Sequence, residues 1–231
     1  MDIIGFLPYS LNEWDGYISS IIWLKDCNWD CPYCYNKKRF YKNGKLISKC
    51  KIFDSFSKAP EWLDGVVITG GEPTIYNNEL ISFTDEIKQK TNLKIKLSTN
   101  GSNPKLIREL VNKKLIDCLS LDFKIYPFDK LKLFGNNVNV DDVKMSFDIS
   151  LSTLIEKEFH TTLCPQIGIN EEMIVDMALY LNNTGKWFLQ QYINKENLDA
   201  LLNESRVFSE SKLSELYKEA QRFHSCVKLL S

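Results

Sequence analysis

Histidine is nearly absent from this chain, with two in 231 residues. That counts against chemistry built on histidine acid–base pairs, and says little against chemistry that needs none. Neither sign of charge is in excess: 29 Lys and Arg face 30 Asp and Glu, for a net charge of -1. No overall field recruits nucleic acid or an anionic membrane, so neither is expected as a partner. No apolar run approaches the roughly 20 residues that span a bilayer, and no basic, apolar and small-residue leader opens the sequence. Repeats and low-complexity tracts are also missing. The expected location is therefore the cytoplasm. What is present is a 44% hydrophobic composition, enough for a full core in one domain over 1–231, and seven cysteines. An odd cysteine count without a secretion signal fits a reducing compartment in which thiols stay free or bind metal.

Three of those cysteines, Cys27, Cys31 and Cys34, form a C-x3-C-x2-C loop directly after an apolar run at 17–24 that reads as a buried strand. Three soft thiolates on one short loop suit three corners of an iron–sulfur cube and leave the fourth iron without a protein ligand. An open coordination position is the mark of a metal that does chemistry. A zinc knuckle is the nearest alternative, because Cys50 follows Cys34 at ribbon-like spacing, although Phe53 stands where the last cysteine should fall. A redox pair leaves Cys27 unexplained, and a disulfide framework does not suit a chain of this size.

The remaining chain alternates strand-like and helix-like stretches. Strands are expected at 65–69, 94–99, 118–123, 159–163 and 187–192, and helices at 78–90, 105–114, 140–157 and 171–181. Pro104 suits a first helical turn. Six strands joined by crossovers long enough for a helix imply parallel pairing, and right-handed crossovers curl the sheet into a partial (β/α)6 barrel. The core barrel is expected over about 16–194. After a polar connection at 195–210, Leu213, Leu216, Tyr217, Ala220, Phe223 and Val227 form the apolar stripe of a C-terminal helix.

In parallel α/β barrels the working groups lie at the carboxyl ends of the strands. The cysteine loop, Gly70-Gly71-Glu72-Pro73-Thr74, Ser98-Thr99-Asn100-Gly101, Asp122-Phe123-Lys124 and Gln190-Gln191 all fall there. Taken singly, Gly70-Gly71 and Asn100-Gly101 are turn signals, and Asp122 with Lys124 reads as an ion pair along one strand face. Their recurrence at one end of successive strands favours a common mouth. There the diglycine would let a ligand approach the backbone, with Glu72 placed to meet a cationic amine.

The cysteine loop together with Gly-Gly-Glu-Pro after the next strand resembles the signature of radical S-adenosylmethionine enzymes. Within them, residues 5–16, 63–74, 98–104, 158–165 and 189–192 are similar to the short activating proteins of anaerobic ribonucleotide reductase and to pyruvate formate-lyase activating enzymes. The resemblance implies that Cys27, Cys31 and Cys34 carry a [4Fe-4S] cluster whose open iron chelates S-adenosylmethionine. It further implies that Tyr33 sits near the adenine, that Gly70, Gly71, Glu72 and Pro73 cradle the methionine amine, and that Thr99, Asn100, Asp122 and Lys124 surround ribose and carboxylate. His160 stands where relatives carry an Arg that contacts a carboxylate. Ser98 replaces an Asp linked to a monovalent cation site, and Tyr35 replaces a frequent His.

The implied reaction is reductive cleavage of S-adenosylmethionine to a 5'-deoxyadenosyl radical, which takes hydrogen from a glycine of a partner glycyl radical enzyme, an anaerobic ribonucleotide reductase. A flavodoxin- or ferredoxin-like protein would supply the electron. The alternatives are a small-molecule enzyme similar to 7-carboxy-7-deazaguanine synthase and, in another class, a non-catalytic metal-binding interaction protein. Between positions 36 and 53 lie Lys37, Lys38, Arg39, Lys42, Lys45, Lys49 and Lys51. They read as a solvated face, as a docking surface for an acidic partner segment, or as a contact for phosphate on a nucleotide or RNA substrate.

Overall fold

The computed structural model of the protein describes residues 1–34, 36, 45–193 and 207–230. Eight strands make one sheet in chain order: β1 (Ile3–Ser10), β2 (Ser19–Leu24), β3 (Gly65–Gly70), β4 (Lys94–Thr99), β5 (Cys118–Asp122), β6 (Glu156–Leu163), β7 (Lys186–Gln191) and β8 (Val227–Leu230). Every neighbouring pair from β2 to β8 is parallel, and β1 runs antiparallel to β2. The sheet does not close, since β1 and β8 stand at its two edges. The expected partial barrel is therefore present, widened by one strand on each side.

Both added strands depart from the sequence reading for identifiable reasons. In β1, Gly5 and Pro8 interrupt the apolar pattern, which an edge strand tolerates because its outer N–H groups need no partner. Gly5 is needed there, because a Cβ would stand 2.9 Å from Trp23 Cε3. In β8, Val227 continues the stripe of the preceding helix but lies on a four-residue strand paired with Trp187.

The helices are α1 (Lys49–Ser57), α2 (Asn78–Lys90), α3 (Pro104–Asn112), α4 (Val140–Ser152), α5 (Glu171–Leu181) and α6 (Glu210–Phe223). Ser48, Asn103, Asn139, Asn170 and Ser209 cap α1, α3, α4, α5 and α6, each accepting from a backbone N–H of the first turn. The helix expected at 140–157 stops at Ser152, and β6 begins at Glu156. The stop follows from Thr153, whose extended backbone and hydroxyl, bonded to the Ser150 carbonyl at 3.1 Å, turn the chain out.

Between helices and sheet, Phe123, Phe147 and Phe159 pack without solvent contact, the last two stacked at 5.7 Å. At the amino ends of the strands Trp14 plugs the barrel against Ile21, Val67 and Cys118. Gly65 makes room for it, since a Cβ would come within 2.7 Å of the indole. Above the plug Lys96 and Glu158 form a buried ion pair, and Lys96 Nζ donates to the Glu13 carbonyl at 2.6 Å. Among the described residues no helix is long and apolar enough to cross a membrane. Tyr35, Lys37, Lys38, Arg39, Lys42 and most of the polar connection at 195–210 lie outside the described residues.

Candidate functional site

Backbone contacts decide where the cysteine loop sits. Beyond β2 the chain crosses the end of β3, where Gly71 N–H donates to the Leu24 carbonyl and Glu72 N–H to the Asp26 carbonyl, both at 2.9 Å. Side chains have no room at this crossing. A Cβ on Gly70 would meet Leu24 O at 2.3 Å, and one on Gly71 would meet Asp26 O at 1.7 Å. Gly70 also takes φ +122°, a conformation that favours glycine. The diglycine thus admits the cysteine loop's own backbone as well as bordering the cavity beyond it.

Glu72 ties this crossing to the next strand. Its carboxylate, without solvent exposure, accepts from Thr74 N–H at 2.9 Å, from the Thr74 and Thr99 hydroxyls at 2.6 Å each, and from Asn100 N–H at 2.7 Å. Burial pushes its pKa up, and these bonds pull against that. Asn100 continues the chain of contacts, donating to Asn28 Oδ1 at 3.0 Å, while Asn28 donates to the Ser102 hydroxyl at 2.8 Å. Asn36, just past the third cysteine, donates to the Gly70 carbonyl at 3.1 Å. On the far side Asp30 N–H bonds the Phe134 carbonyl at 2.8 Å, and Tyr33 packs edge-on against Phe134.

These contacts enclose a cavity of about 220 Å3 at the carboxyl ends of the strands. Cys27, Cys31, Cys34 and Tyr33 form one wall, with Gly70 and Gly71 beside them. Thr99, Asn100, Asp122 and Lys124 line the opposite side. Of the thirteen expected site residues, the ten just named border the cavity, whereas Glu72 and Pro73 lie behind it and His160 lines a neighbouring one. Three of the donors to the Glu72 carboxylate meet Oε1 and one, Asn100 N–H, meets Oε2. Pro73 is buried at the start of the short 3-10 turn Pro73–Tyr76. His160 stacks on Phe188 at 4.8 Å, with Nε2 3.2 Å from Glu158 Oε2.

Asn36, Thr69, Thr162 and Gln190 also line the cavity. Thr162 was within reach of the sequence, since residues 158, 160 and 162 of β6 share a face. Nothing in the sequence marks Asn36, whose placement comes from the loop's three-dimensional path.

Burial opposes the thiolate form of two of the three cysteines. Burial pushes the Cys27 thiol up to about 12 and the Cys31 thiol up to about 11, so both hold their protons until a cation displaces them. Lys124, whose ammonium donates to Asp122 Oδ2 at 2.8 Å, supplies a positive charge near Cys31. The Tyr33 hydroxyl is buried without a hydrogen-bond partner. Among the described residues, the one group of three ligand-type side chains within 4.8 Å of one another is Cys118, Glu156 and Glu158. Lys186 and Lys96 already neutralise its carboxylates. Cys27, Cys31 and Cys34 offer three soft sulfur ligands on one cavity wall, a donor set that suits an iron–sulfur cluster.

The family model of the radical SAM superfamily matches residues 21–181, a span running from β2 through α5 and including every one of these cavity loops but the last. The chain belongs to the radical S-adenosylmethionine superfamily. It is an enzyme of that type, and the cofactors of the superfamily are a [4Fe-4S] cluster and S-adenosylmethionine. A Methanocaldococcus jannaschii protein provisionally named a glycyl-radical enzyme activating enzyme is 30% identical over 227 residues, covering 96% of this chain and 92% of that protein. A 7-carboxy-7-deazaguanine synthase of Koribacter versatilis is 35% identical over 82 residues, covering 35% of this chain and 34% of that protein. In fold the chain is similar to a domain of a pyruvate-formate lyase-activating enzyme from Bacteroides vulgatus, with a TM-score of 0.58 and 13% identity over 73% of this chain and 99% of that one.

Proposed function

We propose that this radical S-adenosylmethionine enzyme is a glycyl-radical enzyme activase and that its partner is an anaerobic ribonucleotide reductase. The observation that carries the first part is the likeness to the Methanocaldococcus jannaschii protein, which extends over 96% of the chain, beyond the shared superfamily core. The sheet running from Ile3 to Leu230 supports reading the whole chain as one domain.

In this reading Cys27, Cys31 and Cys34 hold the cluster, and Tyr33, Gly70, Gly71, Thr99, Asn100, Asp122 and Lys124 contact S-adenosylmethionine. Glu72 and Pro73 serve by holding the loops that make those contacts, and His160 acts from the adjoining cavity. Bound together, the two cofactors supply one electron and a hydrogen-abstracting carbon radical at the ribose C5'. The chain's own part is positioning: its loops keep water and competing hydrogen donors away and aim one C–H bond at that carbon. The Lys124 ammonium, held by Asp122, offers a fixed positive charge for a ligand carboxylate. A flavodoxin- or ferredoxin-like protein is the electron source in this scheme.

The test follows the hydrogen. With a partner reductase deuterated at its glycine Cα, deuterium should appear in 5'-deoxyadenosine and a glycyl radical should appear by electron paramagnetic resonance. Label arriving instead from a small molecule, with no partner protein present, would replace this reading with the deazaguanine-synthase-like one, which is supported by a match over 35% of the chain.

A further inference from the structure

The two walls of the cysteine-lined cavity come from different parts of the chain, and a ring of three side chains ties them together. On one wall, backbone bonds hold the loop after β2 at two points: the Asp26 carbonyl accepts from Glu72 N–H at 2.9 Å, and Asp30 N–H donates to the Phe134 carbonyl at 2.8 Å. Residues 27–29 span the gap between these anchors and carry Cys27. On the other wall the turn at 99–102 is fixed from several sides. Thr99 and Asn100 are buried. The Thr99 hydroxyl donates to Glu72 Oε1 at 2.6 Å and accepts from Gly101 N–H at 3.1 Å, and the Gly101 carbonyl accepts from the Ser146 hydroxyl of α4 at 2.6 Å. The turn is thus the rigid side, and the spacing of the walls depends on what holds residues 27–29 against it.

Asn28 makes that connection. Ser102 N–H donates to Asn100 Oδ1 at 2.9 Å, and a backbone N–H cannot exchange its donor role for an acceptor one. The Asn100 carboxamide must therefore point its Nδ2 the other way, where it donates to Asn28 Oδ1 at 3.0 Å. With its oxygen taken, Asn28 has its Nδ2 left, which donates to the Ser102 hydroxyl at 2.8 Å. The orientation of both carboxamides follows from one backbone group, and the three residues close a ring. Asn28 itself is exposed, so packing into a core does not account for this use of its side chain.

We infer that Asn28 is a positioning residue: its carboxamide holds Cys27 at a fixed spacing from the turn at 99–102 and so sets the width of the cavity for a ligand that touches both walls. The inference rests on the proposal that S-adenosylmethionine binds between the cysteine wall and Thr99, Asn100, Asp122 and Lys124, and it deepens that proposal with a residue that acts through its neighbours. Holding two halves of a site at the bound spacing before the ligand arrives removes an ordering cost from binding. The effect therefore falls on affinity for S-adenosylmethionine rather than on cluster assembly, because the three cysteines and both backbone anchors remain without it.

The test is a titration of the reconstituted, dithionite-reduced protein with S-adenosylmethionine, read by the change in the electron paramagnetic resonance signal of the cluster. In Asn28→Ala, with iron content and circular dichroism equal to wild type, the concentration giving half of the change should rise about tenfold, on the scale of other groups that orient metal ligands. Ser102→Ala removes one of the two bonds from its other end and should raise it about threefold, in keeping with one hydrogen bond. Adding Ser102→Ala to Asn28→Ala should change nothing further, since that bond is already gone. An unchanged half-point in iron-replete Asn28→Ala, or a double variant whose effects multiply, overturns this role for Asn28. Should Asn28→Ala fail to take up iron, Ser102→Ala decides alone, and no rise there overturns it. A wild type whose signal ignores S-adenosylmethionine overturns the cofactor placement and the role of Asn28 together, whereas a wild-type response kept unchanged in the variants strikes the role of Asn28 alone.

Discussion

Glu72 is a buried anion whose partners are all on neighbouring loops, so its removal exposes four donors at once: the N–H groups of Thr74 and Asn100 and the hydroxyls of Thr74 and Thr99. Glu72→Ala should destabilise the fold by about 3 kcal/mol in urea unfolding, and Glu72→Gln, which keeps one acceptor oxygen, by about half as much. A loss no larger than that of an exposed substitution would show that the carboxylate does not hold these loops. His224 gives a second residue-scale prediction. It is buried at the end of α6 with Nε2 3.2 Å from the Thr184 carbonyl and Nδ1 without a partner, and burial holds its pKa below the usual histidine value. The unfolded chain takes up a proton near the ordinary histidine pKa of about 6.5 while the folded chain resists it, so stability is full above that pH and falls as pH drops below it. His224→Asn should flatten this acid limb of the melting temperature, and an unchanged limb would rule the residue out as its cause. Its burial against Trp187 depends on β8, which the sequence pattern did not reveal.

At the scale of elements, the site is a set of strand ends brought together by one backbone crossing. Gly71→Ala places a methyl group where Asp26 O stands, 1.7 Å away, so the cysteine loop must move off β3. Iron incorporation by the purified variant should fall about 10-fold or more, on the scale seen when groups that orient metal ligands are disturbed. Wild-type iron content would show that the crossing does not position the loop. The strand ends themselves were legible, because short β-branched runs followed by Gly-Gly-Glu-Pro, Thr-Asn-Gly and Asp-x-Lys state both the strand and its working end. The purpose of individual residues was less so. Two glycines before a glutamate look the same whether a ligand or a neighbouring backbone fills the space, and only the path of residues 24–26 distinguishes them. Likewise the Glu72 carboxylate gave no sign in sequence that it would accept from Thr74, Thr99 and Asn100.

For the whole molecule, the parallel order of six strands followed from crossover lengths, whereas the two edge strands lay hidden behind a glycine and a proline in β1 and behind the helical stripe ahead of β8. Those edges matter, because they leave the sheet unclosed. The cysteine triad was legible as spacing, and the structure puts all three on one wall of the cavity. The most direct measurement is electron paramagnetic resonance of the reconstituted, dithionite-reduced protein before and after addition of S-adenosylmethionine. A reduced [4Fe-4S] signal that changes on addition, and is lost in Cys27→Ala, Cys31→Ala and Cys34→Ala, is the expected result; a signal indifferent to S-adenosylmethionine, or a protein that takes up zinc and forms no cluster, would contradict it.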